Sequence, residues 1–290
     1  MQFHVLGPLE IRGGTSPVRL TAAKPRAVLA LLLANANATV PTDALTEELW
    51  EEDPPASAPT TLQTYILHLR KMLAHLAGDP ADPARARARA RETLVTRPLG
   101  YLLRLEPGQS DLLHFRHLVR EGREAMEQRR LTAASALLRE ALGLWRGDAF
   151  AGVRLGPRLK VHAIELEEAR LTALEWSVEV DLRLGRHQQL ISQLTALTAR
   201  YPLHEGLHSH LMSALCLAGR RSDALDVYRR LRSALVRDLG LEPSWSIQQT
   251  QQAVLRATSD GPPDVRHLLG DDTPITLHRN PIASGRVGAP

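Results

Sequence analysis

A single cysteine, Cys216, stands among the 290 residues. One thiol excludes an internal disulfide or a cysteine metal cluster, and its setting in the apolar stretch LMSALCLAG marks it as core filling. No apolar run approaches the ~20 residues of a bilayer span. The opening MQFHVLGPLEIRGG lacks the charged, apolar and small-residue layout of a signal peptide. The expected compartment is therefore the cytoplasm, with no membrane partner. Aromatic residues make up only 4%, but an apolar fraction of 43% supplies a core for each of two domains. The templates of catalysis are missing as well: there is no GxxxxGK[ST] phosphate loop and no GxSxG elbow, so no enzymatic activity and no cofactor is expected. His204, Glu205 and His208 do spell H-E-x-x-H, the zinc-hydrolase pattern. They follow Pro202 at a helix start and no third ligand follows, so they read as polar helix-start residues and no metal is expected.

Charge is present but unevenly spread. The net charge is a mild +4. Between Pro54 and Leu105 eight Lys/Arg face three Asp/Glu, whereas Asp43, Glu47, Glu48, Glu51, Glu52 and Asp53 crowd a short stretch with no base among them. A basic and an acidic surface in one small domain imply two kinds of partner.

Along the chain, FHVLGPLEI, GGTS and VRL read as strand, turn and strand. PRAVLALLLA is a helix with Pro25 in its first turn, where a missing N–H costs nothing. VPTDALTEELW gives a second, short amphipathic helix with Thr42 as its N-cap, stopped by EEDPPASAP. A third helix is predicted from about Ser57 to Leu76: Leu62, Ile66, Leu69 and Leu73 form its apolar stripe. Thr60, Thr64 and Lys71 point the other way, with Thr61 and His68 beside them and Gln63 and Arg70 on the flanks. Hydroxyls, an imidazole, an amide and cations on one helical face suit base edges in a major groove, although a merely solvated face has the same composition. LVTR, PLG and YLLRL then form a hairpin. Strands, three helices and a terminal hairpin describe a winged helix-turn-helix.

FHVLGPLEI, KPRAVLALLLANAN, TLQTYILHLRKML and LVTRPLGYLLRL resemble the DNA-binding half of the Streptomyces antibiotic regulatory proteins, the SARP family. LREALGLWRGDAFAG and LMSALCLAGRRSDALDVYRRLRSALVRDLGLEPS are similar to that family's bacterial transcriptional activator domain. The resemblance covers roughly residues 1 to 257. It implies an OmpR-type winged helix, akin to the effector domains of two-component regulators, at 1–107 and an activator domain at 108–257. It also implies a transcription activator of secondary-metabolite gene clusters, nucleoid-associated when bound. Such a protein would read promoter direct repeats overlapping the −35 region with two copies side by side, and hold RNA polymerase through its sigma factor and other subunits. Repeats about 10 to 11 bp apart would place both recognition helices on one face of the duplex.

The second half also carries a signal of its own. Shifted by 34 residues, the period of tetratricopeptide repeats, Gly185 falls on Gly219, Arg186 on Arg220, Leu194 on Tyr228 and Leu197 on Leu231. Ala224 fits the small contact position of that repeat and Leu190 departs from it. RLTAASALLREALGLW offers a third unit in which Arg129 replaces the turn glycine. The fold class is thus mostly α, an α+β winged helix followed by an all-helical tetratricopeptide-like domain.

The residues expected to act follow from this. Thr60, Thr61, Thr64, His68 and Lys71 would read bases from the recognition helix. Lys24, Arg26, Arg70, Arg91 and Arg97 would contact phosphates, although for Lys24 and Arg26 an ordinary solvated first turn has the same composition. The acidic set Glu47, Glu48, Glu51, Glu52 and Asp53 would face RNA polymerase, complementing a basic sigma surface, or else form a soluble helix end. The insertion GDPADPARARARARE, with Arg85, Arg87, Arg89 and Arg91, is longer than the family pattern. It reads as a mobile basic loop, because alternating Ala and Arg offers no apolar face at helical spacing. Such a loop would either strengthen non-specific DNA affinity or be a solvated excursion without function, and salt sensitivity distinguishes the two. The tail 258–290, rich in Pro, Gly and Asp, is expected to be disordered. The competing reading is a protein-interaction scaffold without sequence-specific DNA binding.

Overall fold

The computed structural model describes residues 1–13, 16–18, 20–76 and 82–257, so the expectation for the tail lies outside the described residues. It begins with three short strands, β1 (Gln2–His4), β2 (Glu10–Gly13) and β3 (Ser16–Val18). They form an antiparallel sheet in the order β1-β2-β3, with Phe3 opposite Ile11. Helix α1 (Ala23–Ala34) follows, with Pro25 in its first turn, and every residue from Ala27 to Ala34 is buried. A helix apolar all round belongs inside a core, and α1 is the centre around which the rest of this region packs.

Three residues next to α1 form β4 (Thr39–Pro41), which the sequence reading did not anticipate. It joins β5 (Leu94–Arg97) and β6 (Gly100–Leu103) in the order β4-β6-β5, so the expected hairpin supplies the central strand and one edge of a three-stranded sheet. Gly100 is required there, since a Cβ would collide with the carbonyl of Val40. Because β4 runs into α2 (Thr42–Trp50), Thr42 is already helical: Pro41 holds the N-cap position without a side-chain cap, and the Thr42 amide donates to Leu99 O.

Helix α3 (Ala58–Leu76) buries Leu62, Ile66, Leu69 and Leu73, the predicted stripe. The basic insertion is not a loop where it is described. It is helix α4 (Pro83–Thr93), started by Asp82, whose carboxylate accepts from the Arg85 amide, and by Pro83 in the first turn. Ala86 and Ala90, four residues apart, are the apolar seam that the alternating pattern concealed. Both are buried where α4 packs against α3. Ala and Arg are also among the strongest helix formers.

Residue contacts divide the chain into two compact units. The first takes Met1–Gly122 and Ala136–Leu174, and the second takes Arg123–Ser135 and the described residues from Glu175 onward. The boundary expected at residue 107 falls inside the first unit, and the reason is visible at the N-terminal sheet. After a 3-10 turn (Pro107–Gln109), α5 (Asp111–Glu127) starts with a buried carboxylate: Asp111 accepts from the amides of Val5 at 2.9 Å and Leu6 at 3.1 Å. The segment after α6 (Leu131–Gly143) pairs with the same strand exit. Arg146 N donates to Leu6 O, Phe150 N to Val5 O, Ala151 N to Gly7 O, and Leu9 N returns to Ala151 O. Gly7, at φ 143°, allows this approach, since a Cβ would lie 3.0 Å from that of Arg146. Helix α7 (Pro157–Arg183) begins in this unit.

The second unit is helical. The remaining elements are α8 (His187–Arg200), α9 (Glu205–Leu217), α10 (Arg221–Leu239) and α11 (Trp245–Arg256). The repeat turns are superimposable in their hydrogen bonds. Gly185 N bonds Leu182 O and Arg186 N bonds Asp181 O, while Gly219 N bonds Cys216 O and Arg220 N bonds Leu215 O. At the α5–α6 turn Arg129 N bonds Met126 O and Arg130 N bonds Ala125 O. Arg129 adopts φ 56° where the two glycines have 77° and 76°, so the third unit shares the turn although it lacks the glycine.

Candidate nucleic-acid interface

The face expected to read bases lies on α3. Burial of its stripe on the α1 side leaves Thr60, Gln63, Thr64, Leu67, His68, Lys71 and His75 exposed on the opposite side. Thr61, expected among them, is half-buried at the edge. Thr64 Oγ1 donates its hydrogen to Thr60 O at 3.0 Å, which leaves the hydroxyl to accept from a base amino group. Leu67, 54% exposed, was missed by the sequence reading, though helical spacing alone sets it opposite the stripe. An apolar side chain there suits a thymine methyl.

Arg70 departs from its expected role. Its guanidinium donates to Leu94 O through Nε at 3.0 Å and Nη2 at 2.8 Å, and to Thr96 Oγ1 at 2.8 Å. It fastens α3 to strand β5 instead of waiting for a phosphate. Burial, chiefly, pulls its pKa below the ordinary value, with a further push from the Arg91 charge. Arg97 is exposed at the end of β5, and the wing turn raises Leu99, 78% exposed, beside it. Arg91 is exposed on α4, as are Arg85, Arg87 and Arg89. Lys24 lies 4.5 Å above the Trp50 ring, tying the start of α1 to the end of α2. Arg26 is half-buried, with its Nη2 against Gly152.

The acidic group splits in two. Glu48 is only 4% exposed: Oε1 accepts from Gly156 N at 2.6 Å, and Oε2 from Arg158 N and Leu159 N at 3.0 Å each. It caps the N-terminus of α7, where unpaired amides and the helix dipole favour a carboxylate, and so it offers nothing to polymerase. Glu47 pairs with the Arg158 side chain at 2.7 Å. Glu51, Glu52 and Asp53 stand exposed in the connection between α2 and α3.

The H-E-x-x-H residues are engaged by backbone. His204 Nδ1 accepts from Leu207 N at 3.3 Å as the N-cap of α9, the His208 ring is 3.2 Å from His204 O, and Glu205 accepts from Ser244 N at 2.8 Å. Among the described residues no group of three His, Cys, Asp or Glu is placed to share a metal ion, and no helix is long and apolar enough to cross a membrane.

Residues 110–255 match the bacterial transcriptional activator domain and residues 15–84 the C-terminal domain of transcriptional regulatory proteins. The chain is 46% identical to the regulatory protein DnrI of Streptomyces peucetius over 257 residues, 89% of this chain and 93% of DnrI. It is 35% identical to the regulatory protein AfsR of Streptomyces griseus over 90% of this chain, but spans only 25% of that longer protein. The structure of Mycobacterium tuberculosis EmbR in complex with a low affinity phosphopeptide superimposes with a TM-score of 0.81 at 34% identity, covering 88% of this chain and 65% of EmbR. With a winged helix, a helical-repeat unit and relatives of this similarity, the chain belongs to the SARP family of transcriptional regulators.

Proposed function

We propose that the chain activates transcription by binding promoter direct repeats through α3, two copies side by side, and that it acts by binding and not by catalysis. The observation that carries this is the single exposed face of Thr60, Gln63, Thr64, Leu67, His68 and Lys71 on a helix whose opposite face is locked into the core. That face combines acceptors, donors, an apolar group and a cation, as reading of base edges demands. Arg97 at the wing and Arg91 on α4 supply positive charge for flanking phosphates. The exposed Glu51, Glu52 and Asp53 are the part of the acidic set available to a basic sigma-factor surface. Similarity to Streptomyces regulators supports a secondary-metabolite gene cluster as the target and the nucleoid as the place of action.

The test is a binding titration on promoter regions around the protein's own gene at two salt concentrations, with wild type beside a Thr64→Ala, Lys71→Ala double variant. Wild type is expected to select a direct repeat and the variant to lose that selection. Absence of sequence preference in wild type overturns the reading in favour of a protein-interaction scaffold.

A further inference from the structure

Helix α4 presents its charge in two separate rows. At about 100° per residue the buried seam of Ala86 and Ala90 lies between Arg85/Arg89 on one flank and Arg87/Arg91 on the other, each pair four residues apart. The rows are not equivalent. Glu92 lies on the Arg85/Arg89 side, three residues beyond Arg89, and partly cancels its field, whereas no carboxylate of α4 shares the Arg87/Arg91 face. Arg91, the last member of the second row, lies near enough to Arg70 for its charge to act there, and Arg70 is bonded to the wing strand at Leu94 and Thr96. All four guanidinium groups are exposed, and among the described residues none has a carboxylate partner. Two unneutralised cations fixed on a helix that is packed against α3 and runs directly into the wing fit one occupant, a polyanionic backbone passing along that helix.

We propose that α4 is a second DNA-contacting helix, in which Arg87 and Arg91 hold phosphates beside the recognition helix. The inference rests on the DNA-binding reading above and extends its single Arg91 contact to a two-arginine row that carries affinity without sequence information. The Arg85/Arg89 row, across the seam, does not reach the same duplex.

The experiment compares wild type, Arg87→Gln/Arg91→Gln and Arg85→Gln/Arg89→Gln on a duplex with the selected repeat and on a scrambled duplex, across 50 to about 200 mM salt. Gln keeps the helix propensity and leaves the Ala seam untouched. Each lost phosphate contact lowers the slope of log affinity against log salt by about 0.9, so the Arg87/Arg91 variant should lose about 1.8 on both duplexes. Its preference for the repeat should be unchanged, and the Arg85/Arg89 variant should retain the wild-type slope within about 0.5. A wild-type slope in the Arg87/Arg91 variant overturns the proposal whatever the other pair does, and leaves α4 as a solvated helix or a surface for an acidic protein. Lack of repeat preference in wild type fails the recognition reading instead, because the slopes on scrambled DNA still report on Arg87 and Arg91.

Discussion

Glu48→Ala should be among the most damaging single changes in the first unit, although the position lies in an acidic stretch that looks soluble. The buried carboxylate accepts three amide hydrogens from the start of α7, at Gly156, Arg158 and Leu159. Hydrogen bonds to a charged group contribute about 1.5–3 kcal/mol each in isolation but not additively, and removing one partner of a buried charged set costs about 3–5 kcal/mol. We expect a loss of about 3–4 kcal/mol, which for a unit of this size lowers the melting temperature by about 6 to 16 °C. Glu48→Gln keeps one acceptor and should cost about half as much. Glu47→Ala removes only a half-exposed pair with Arg158 and should cost under about 1 kcal/mol. Gly156→Ala offers an independent approach, since its Cβ would meet the Glu48 carbonyl and lie 2.8 Å from the carboxylate carbon. Calorimetry on the four variants decides the matter. A Glu48→Ala melting temperature within about 2 °C of wild type refutes the capping argument.

Gly100→Ala should open the β4–β6 pairing, with weakened DNA binding and loss of strand signal by circular dichroism, because the Val40 carbonyl occupies the space of the new Cβ. Arg129→Gly should stabilise the second unit by about 0.5–1 kcal/mol in chemical denaturation, relief of a left-handed arginine outweighing the added freedom of the unfolded chain. In the same unit, burial and then the nearby His204 hold the His210 pKa down to about 4 against an ordinary 6.5, and its Nδ1 has no hydrogen-bond partner among the described residues. The folded chain therefore keeps this ring neutral while the unfolded chain protonates it. The contribution is whole above pH 6.5 and is lost as pH falls from 6.5 toward 4, so His210→Leu should flatten the melting-temperature profile in that window.

The elements that the sequence revealed are those whose evidence is local. The four-residue stripe of α3, the Pro-Leu-Gly turn of the wing and the 34-residue spacing of Gly185 and Gly219 each repeat within a short window. The misses have non-local causes. Strand β4 is three residues long and exists because β6, some sixty residues later, pairs with it. Glu48 has its partners 108 to 111 residues away, so nothing around it distinguishes it from Glu51 or Glu52. Arg70 was indistinguishable from a phosphate ligand until the wing carbonyl appeared within reach. Helix α4 is the exception, since the spacing of Ala86 and Ala90 is present in the sequence, but alanine side chains are too small to stand out as an apolar face between arginines.

The backbone pairing of Val5, Leu6 and Gly7 with Arg146, Phe150 and Ala151 has a consequence for how such regulators can be recombined. A fragment ending near residue 107 would carry the strands and α3 but would leave the Val5 and Leu6 amides without the Asp111 carboxylate that receives them. Grafting this winged-helix head onto another regulator therefore has to take the seam through Ala151 and the Glu48 socket at Leu159 along with it, or exchange both sides together. The natural unit of exchange is larger than the DNA-binding motif.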